Sequence, residues 1–311
     1  MAKRYLIVKI AAIGDVIMAL PMVEEIRKLD KNADITWICG KSILPLLEKF
    51  PIDHIISIDD KKLYSGTLFQ KLSVIFRTWR AIGWKKYDVI ALAHADRRYR
   101  ALTLIARSNC YNMFSHKLGI MKPVPGRAHT DEYVSLINPK NKKRIHSASY
   151  KNVELNPVYK KFLLKDSKCV LLSPGGVRKN IDSRWCRKWP IDNYVELAKL
   201  LIDKNVRVII TGAPSDEWVS QYFHGLDIIN LIGKTSLVDL IGIFSNVDAI
   251  VTHDSGPMHL AGMTETYLVA LFGPTSPANF LPNRDNVVCL SKVEELACSP
   301  CYDGKYYSAC K

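Results

Sequence analysis

Short apolar runs rich in β-branched residues alternate with segments of helical period along the whole chain, and the rhythm starts twice. Strands that alternate with helices pair most simply in parallel through crossover connections, so the pattern restricts the chain to an α/β architecture. In the first half, strands are predicted at residues 5–10, 35–39, 54–58 and 89–92, with helices at 16–29, 44–50 and 68–82. A polar, basic stretch at 139–165 interrupts the rhythm. It resumes with strands at 169–173, 207–211, 249–252 and 267–272 and helices at 191–203 and 237–245. A chain of 311 residues is long enough for two cores, and the boundary is placed near residue 160, giving domains 1–160 and 161–311. Each is expected to be a doubly wound, Rossmann-like domain. Such sheets bind ligands outside the carboxyl ends of their strands, so the active site is expected in a cleft across which the two domains face one another.

Charge divides the same way. Residues 1–165 hold 30 Lys and Arg against 14 Asp and Glu, whereas residues 166–311 hold 14 against 16. The excess positive charge belongs to the first half, which suits a polyanionic partner: nucleic acid, an anionic membrane or a phosphorylated substrate. Signatures of the usual RNA-binding modules are absent, and no nucleic-acid partner is expected.

The first residues do not form a signal peptide, because Lys9 and Asp15 interrupt the apolar stretch. No run approaches the ~20 apolar residues that span a bilayer, so the expectation is a cytoplasmic chain touching a membrane only peripherally. Of the eight cysteines, Cys39, Cys110, Cys169 and Cys186 are scattered as in a reducing compartment. Cys298 and Cys301 make a zinc-like C-x-x-C start, but a second pair is incomplete unless Cys289 joins Cys310; unmetallated thiols are the expectation.

The most specific segment is Val251-Thr252-His253-Asp254-Ser255-Gly256-Pro257-Met258-His259, where a strand ends and a helix begins. Ser255 or Asp254 can cap that helix, Pro257 suits its first turn, and amides at its start can meet a phosphate. Together with Val269-Ala270-Leu271-Phe272-Gly273-Pro274-Thr275, it resembles the C-terminal signature of glycosyltransferase family 9, the ADP-heptose:lipopolysaccharide heptosyltransferases. Ile13-Gly14-Asp15-Val16-Ile17 with Leu20-Pro21, Trp189-Pro190, and Gly233-Lys234-Thr235-Ser236-Leu237 agree in the expected order, so the resemblance covers nearly the whole chain.

The resemblance implies a GT-B architecture with an acceptor-binding first domain and a second domain for the nucleotide-sugar, ADP-heptose foremost. The acceptor would be a lipid-linked, anionic saccharide of the lipopolysaccharide core on the cytoplasmic face of the inner membrane, and no cofactor or metal would be needed. Asp15 sits where the family keeps its general base, beside Gly14 in the acceptor site, and the sugar would be transferred with inversion. As an ordinary carboxylic acid of pKa ~3.9 it must take the acceptor proton in concert with attack. The donor would meet Ser173 and Gly175, Lys234, and Asp254, Ser255, Gly256, Met258 and His259. Asp216 or Glu217 would contact the ribose, and Arg187 or Lys188 the diphosphate. The family keeps a lysine where this chain has Arg187. Met18 replaces a common histidine and Ser276 a common aspartate, which leaves the sugar open.

Leu68, Leu72, Ile75, Trp79 and Ile82 share one helical face with basic residues nearby. That face is expected to pack on the core, with Trp84 and neighbouring lysines as a membrane-facing edge. Arg97 and Arg98 follow a predicted strand end and are candidate ligands of acceptor phosphates. The alternatives are a non-catalytic polyanion- or nucleotide-binding protein, or a related glycosyltransferase with another donor and acceptor.

Overall fold

The computed structural model describes residues 2–114, 126–150, 154–163, 167–176, 187–292 and 294–301, without the side chain of Arg97. Cys186 and Cys310 lie outside the described residues. The chain divides into two units, residues 1–146 and 147–311, each built on its own sheet.

The first unit contains β1 (Arg4–Val8), β2 (Asp34–Gly40), β3 (His54–Ile58), β4 (Lys86–Leu92) and β5 (Arg107–Met113), in the order β3-β2-β1-β4-β5 and all parallel. The second contains β6 (Cys169–Ser173), β7 (Arg207–Ile210), β8 (Ile228–Asn230), β9 (Ala249–His253), β10 (Tyr267–Phe272) and β11 (Val287–Ser291). Its order is β11-β10-β9-β6-β7-β8, again all parallel. Both are doubly wound: the winding reverses between β1 and β4 in one sheet and between β6 and β9 in the other, and such reversals leave a crevice at the strand ends. One core gathers Leu6, Val8, Ile38, Ile90 and Leu92, and the other Leu172, Val208, Ile210 and Tyr194, all buried.

Three expectations change. The boundary falls fourteen residues earlier than 160 because the connecting stretch belongs to the second unit. There, Tyr150 donates its amide to Met263, Asn156 its side-chain amide to Asp239 and Tyr159 its hydroxyl to the Lys234 carbonyl. The helix expected at 16–29 is two helices, Ile13–Ala19 and Pro21–Leu29. Pro21 has no N–H to continue the ladder, so Leu20 both closes the first and opens the second.

The helix Leu68–Ile82 forms as expected, opened by a capping box of Thr67 and Gln70 and closed by Gly83 at φ 64°. Its buried side, however, is Val74, Thr78 and Ile82, with Ile75 against the core, while Leu68 and Leu72 are exposed. No described helix is long and apolar enough to cross a membrane.

Candidate active site

Asp15 lies in the first turn of Ile13–Ala19, just past the carboxyl end of β1, with its side chain about one-third exposed. It caps nothing: its Oδ1 accepts a 2.7 Å hydrogen bond from the Tyr133 hydroxyl and lies 3.3 Å from the Lys9 ammonium. Lys9 is buried, and its Nζ also donates to Tyr133 Oη at 2.9 Å and to the Ala93 carbonyl at 3.0 Å. Lys9, close in sequence, and Tyr133, 118 residues away, thus converge on one oxygen. Burial alone would raise the carboxyl's pKa, but Lys9, the Tyr133 hydrogen bond and nearby His129 hold it well below the usual carboxylate range. Burial in turn lowers the Lys9 pKa, against the pull of Asp15. At the end of β4, His94 accepts the Ile10 amide through Nε2 at 2.9 Å and stacks on Tyr99; burial, then Lys9, keep it neutral. The acceptor candidates contribute less. Gly14 is buried, and Arg98 is tied to Asp96 through Nε at 2.8 Å.

In the second unit, the corresponding edge lies at the ends of β6 and β9. Asp254 is buried, and its Oδ2 accepts from Arg187 at 3.2 Å and from Thr275 at 2.7 Å. The two cations sit in different surroundings. Arg187 is spent on a buried carboxylate, while Lys188 lies 4.6 Å above the Trp218 ring without a carboxylate partner among the described residues. Burial lowers the Lys188 pKa, and Asp216 counters it. His253 is buried and shares a 3.1 Å hydrogen bond with Tyr194, and burial takes its pKa down to about 4.

The two acidic candidates separate as well. Asp216 is buried and takes the Gly176 amide on Oδ1 at 2.8 Å and the Ala213 amide on Oδ2 at 2.9 Å, clamping the loop after β6 to the loop after β7. A Cβ on Gly175 would stand 2.5 Å from Asp216 Cγ, so that glycine makes room for the clamp. Glu217 is exposed. The hydroxyls of Ser173 and Thr211, buried at these strand ends, have no partner among the described residues. Such groups cost about 1–3 kcal/mol each when left unsatisfied.

Pro257 stands in the first turn of the helix Gly256–Ala261, but Ser255 does not cap it; its hydroxyl turns back to the His253 carbonyl at 3.0 Å. Met258 is fully buried and its amide donates to the Ser255 carbonyl. His259 is buried in the same turn, whereas Lys234 is exposed, its ammonium on the Asn230 carbonyl. Among the described residues no group of His, Cys, Asp or Glu could hold a metal ion.

The sequence model for glycosyltransferase family 9 (heptosyltransferase) matches residues 112–308, more than half of the chain. The chain belongs to this family. A lipopolysaccharide core heptosyltransferase of Haemophilus influenzae, OpsX, is 26% identical over 92% of this chain and 84% of its own. Lipopolysaccharide heptosyltransferase 2 of Escherichia coli is 39% identical over 31% of this chain and 29% of its own. Among solved structures, a family 9 glycosyltransferase from Veillonella parvula superposes with a TM-score of 0.79 at 20% identity, covering 94% of this chain and 87% of that one. E. coli heptosyltransferase WaaC with ADP gives 0.73 at 17% identity over 93% of both chains. The fold is therefore GT-B, and the protein is a glycosyltransferase, which favours the enzyme over a non-catalytic binding protein.

Four residues of this family 9 edge escaped the sequence reading: Lys9, His94, His129 and Tyr133. For Lys9 a signal existed, since a lysine inside an apolar strand is buried only when something pairs with it. The other three carry no local mark.

Proposed function

We propose that the chain transfers a heptose from ADP-heptose to an anionic, lipid-linked saccharide of the lipopolysaccharide core, inverting the anomeric centre, with Asp15 as general base. The observation that carries this reading is the Asp15 carboxylate: ionised, partly exposed, and fixed by Tyr133 and Lys9 through one oxygen. With Oδ1 so engaged, Oδ2 is left for the acceptor hydroxyl. A carboxylate of such low basicity cannot strip a free alcohol beforehand. It takes the proton only as the new C–O bond forms and the hydroxyl becomes acidic, so orientation counts for more than base strength.

Charge supports the division of labour. The first unit carries 26 Lys and Arg against 13 Asp and Glu, the second 18 against 17. The first unit is assigned the anionic acceptor, with Gly14, Arg97 and Arg98 near it. The second is assigned the donor: Lys188 and Lys234 toward the diphosphate, Glu217 toward the ribose, and Ser173, Ser255 and Gly256 along the rim. Arg187, Asp216 and Asp254 hold that rim in shape. The departing diphosphate gains negative charge, and fixed cations stabilise it more in the transition state than before. ADP as the nucleotide draws on the E. coli relative WaaC, solved with ADP and with ADP-2-deoxy-2-fluoro heptose. The work would be done by a cytoplasmic protein in peripheral contact with the inner membrane.

A second reading, another sugar on the same machinery, rests on Met18 and Ser276, where the chain departs from its family's pattern. Calorimetry with ADP-, UDP- and GDP-sugars, followed by ADP release with a lipopolysaccharide inner-core acceptor, tests both. The proposal expects binding of ADP-heptose and acceptor-dependent release of ADP; selective binding of another nucleotide-sugar favours the second reading, and binding of none removes both.

A further inference from the structure

The helix Leu68–Ile82 turns large apolar side chains toward solvent. Leu68 is 74% exposed, Phe69 86%, Leu72 54% and Phe76 66%; Trp84, just past its end, is 79% exposed. At 100° per residue, the four helical side chains fall within an arc of roughly 100°, on the side away from Val74, Thr78 and Ile82. Arg80 and Arg77 follow along the edge of that arc, both exposed and without a carboxylate partner among the described residues. Isolated exposed apolar residues are ordinary, but a contiguous aromatic and aliphatic stripe on one helix marks a contact surface.

The surrounding charge says what would cover it. Residues 61–86 contain seven Lys and Arg (Lys61, Lys62, Lys71, Arg77, Arg80, Lys85 and Lys86) and no Asp or Glu. Beside the helix, a cavity of about 390 Å³ is lined by Lys41, Lys62 and Arg77; Asp59 in the same lining lies 3.9 Å from Lys41 and 3.3 Å from Lys62, which leaves Arg77 as the cation there without a carboxylate partner among the described residues. Trp84 stands next to Lys85 and Lys86, the pairing of an amphipathic ring and cations that suits the level of lipid headgroups. A protein partner would need its own complementary apolar face. An anionic bilayer supplies both halves, acyl boundary for the stripe and phosphate for the cations.

We propose that the face formed by Leu68, Phe69, Leu72, Phe76 and Trp84, with its rim of Lys and Arg, docks the protein on an anionic phospholipid surface. The inference rests on the lipid-linked acceptor assigned above and names the surface by which the enzyme reaches it. The stripe sinks to the depth of the headgroup–acyl boundary, so docking restricts the enzyme's search for its acceptor to two dimensions.

Co-sedimentation of the full chain with vesicles of phosphatidylcholine alone, and of phosphatidylcholine with a third phosphatidylglycerol, tests this. Binding is expected to be at least about tenfold tighter to the anionic vesicles and to weaken with salt. F69S/F76S should abolish it and R77Q/R80Q should weaken it, both keeping the unchanged protein's melting temperature because these side chains support no core. With a water-soluble acceptor stripped of its fatty acids, F69S/F76S should release ADP at the parental rate; with acceptor embedded in vesicles it should be slower. Undiminished vesicle binding by F69S/F76S overturns the proposal, as does equal binding to neutral and anionic vesicles. A concentration-dependent dimer that the same substitutions dissolve also overturns it, since a second copy would then be the occupant. Vesicle binding lost with F69S/F76S in a protein that never releases ADP would leave the docking face standing and remove the transfer reaction.

Discussion

Each unit places an aspartate just past a strand beside the reversal of its sheet, and the surroundings use the two in opposite ways. Asp15 keeps one oxygen open and about a third of its side chain in solvent, while Lys9 and Tyr133 grip the other oxygen from behind. Asp254 is buried and spends an oxygen on Arg187 and Thr275. Both stand in the motifs that carry the resemblance to family 9. A motif alone therefore does not separate the proposed base from a framework carboxylate; the direction from which the partners arrive is what distinguishes the two here.

The contrast breaks most readily at the two aspartates themselves. Asp15→Asn is expected to lower acceptor-dependent ADP release about 10²–10⁴-fold with donor affinity unchanged, read by steady-state rates beside calorimetry. Asp254→Asn should instead cost stability, on the order of 3 kcal/mol, because it strands the half-buried Arg187 guanidinium; urea unfolding measures it. If the effects were exchanged, with Asp15→Asn unfolding the protein and Asp254→Asn only slowing it, the assignment would be inverted.

Titration sharpens the comparison further. His253, next to the framework aspartate, has a pKa near 4 through burial, against ~6.5 in an unfolded chain. Between those values the unfolded state binds a proton that the folded state refuses. Its share of stability is complete above pH 6.5 and drains as pH falls toward 4, at up to ~1.4 kcal/mol per unit. His253→Gln should flatten that part of the stability–pH curve while still offering Tyr194 a partner.

At Asp15, the proposed base, the expected signature is kinetic. The depressed Asp15 pKa keeps the carboxylate charged down through the ordinary carboxylate range, so no acid limb from this group should enter the rate profile near neutrality. Lys9→Met removes the largest opposing charge and lets burial push that pKa upward. The variant's rate should then fall with decreasing pH, about tenfold by pH 5. A flat profile in Lys9→Met would deny the lysine its part in keeping the base ionised. Smallest of all is Ser255→Ala, about 1 kcal/mol or less by thermal unfolding, because the hydroxyl meets only neutral partners, the His253 carbonyl and the Thr252 hydroxyl, and caps no helix.

The interior strands were legible because parallel strands covered on both faces read as unbroken apolar runs, as in Leu6-Ile7-Val8 and Leu171-Leu172. The three strands missed, β5, β8 and β11, are all sheet edges. One face of each is half solvated, so Arg107–Met113 reads Arg-Ser-Asn-Cys-Tyr-Asn-Met and Ile228–Asn230 is too short to show a period. β3 is also an edge but keeps isoleucines at three of its five positions, and it was found. The helix Leu68–Ile82 was correct in extent and only partly in orientation: Ile75 and Ile82 pack on the core as expected while Leu68 and Leu72 face solvent, because periodicity reveals that a stripe exists and not how far round the helix the buried side is turned. At the site, Asp15, Arg187 and Asp254 stood out as words of a motif. Tyr133 did not, since it meets Asp15 only after 118 residues of chain have folded between them.

Because Asp216 anchors one amide from the loop after β6 and another from the loop after β7, those two loops form a single mechanical part. Exchanging either loop alone for that of a relative with a different sugar preference would cut a buried carboxylate loose. Exchanging them as one cassette, with the aspartate and the glycines at 175 and 212 that make room for it, would carry the joint across intact.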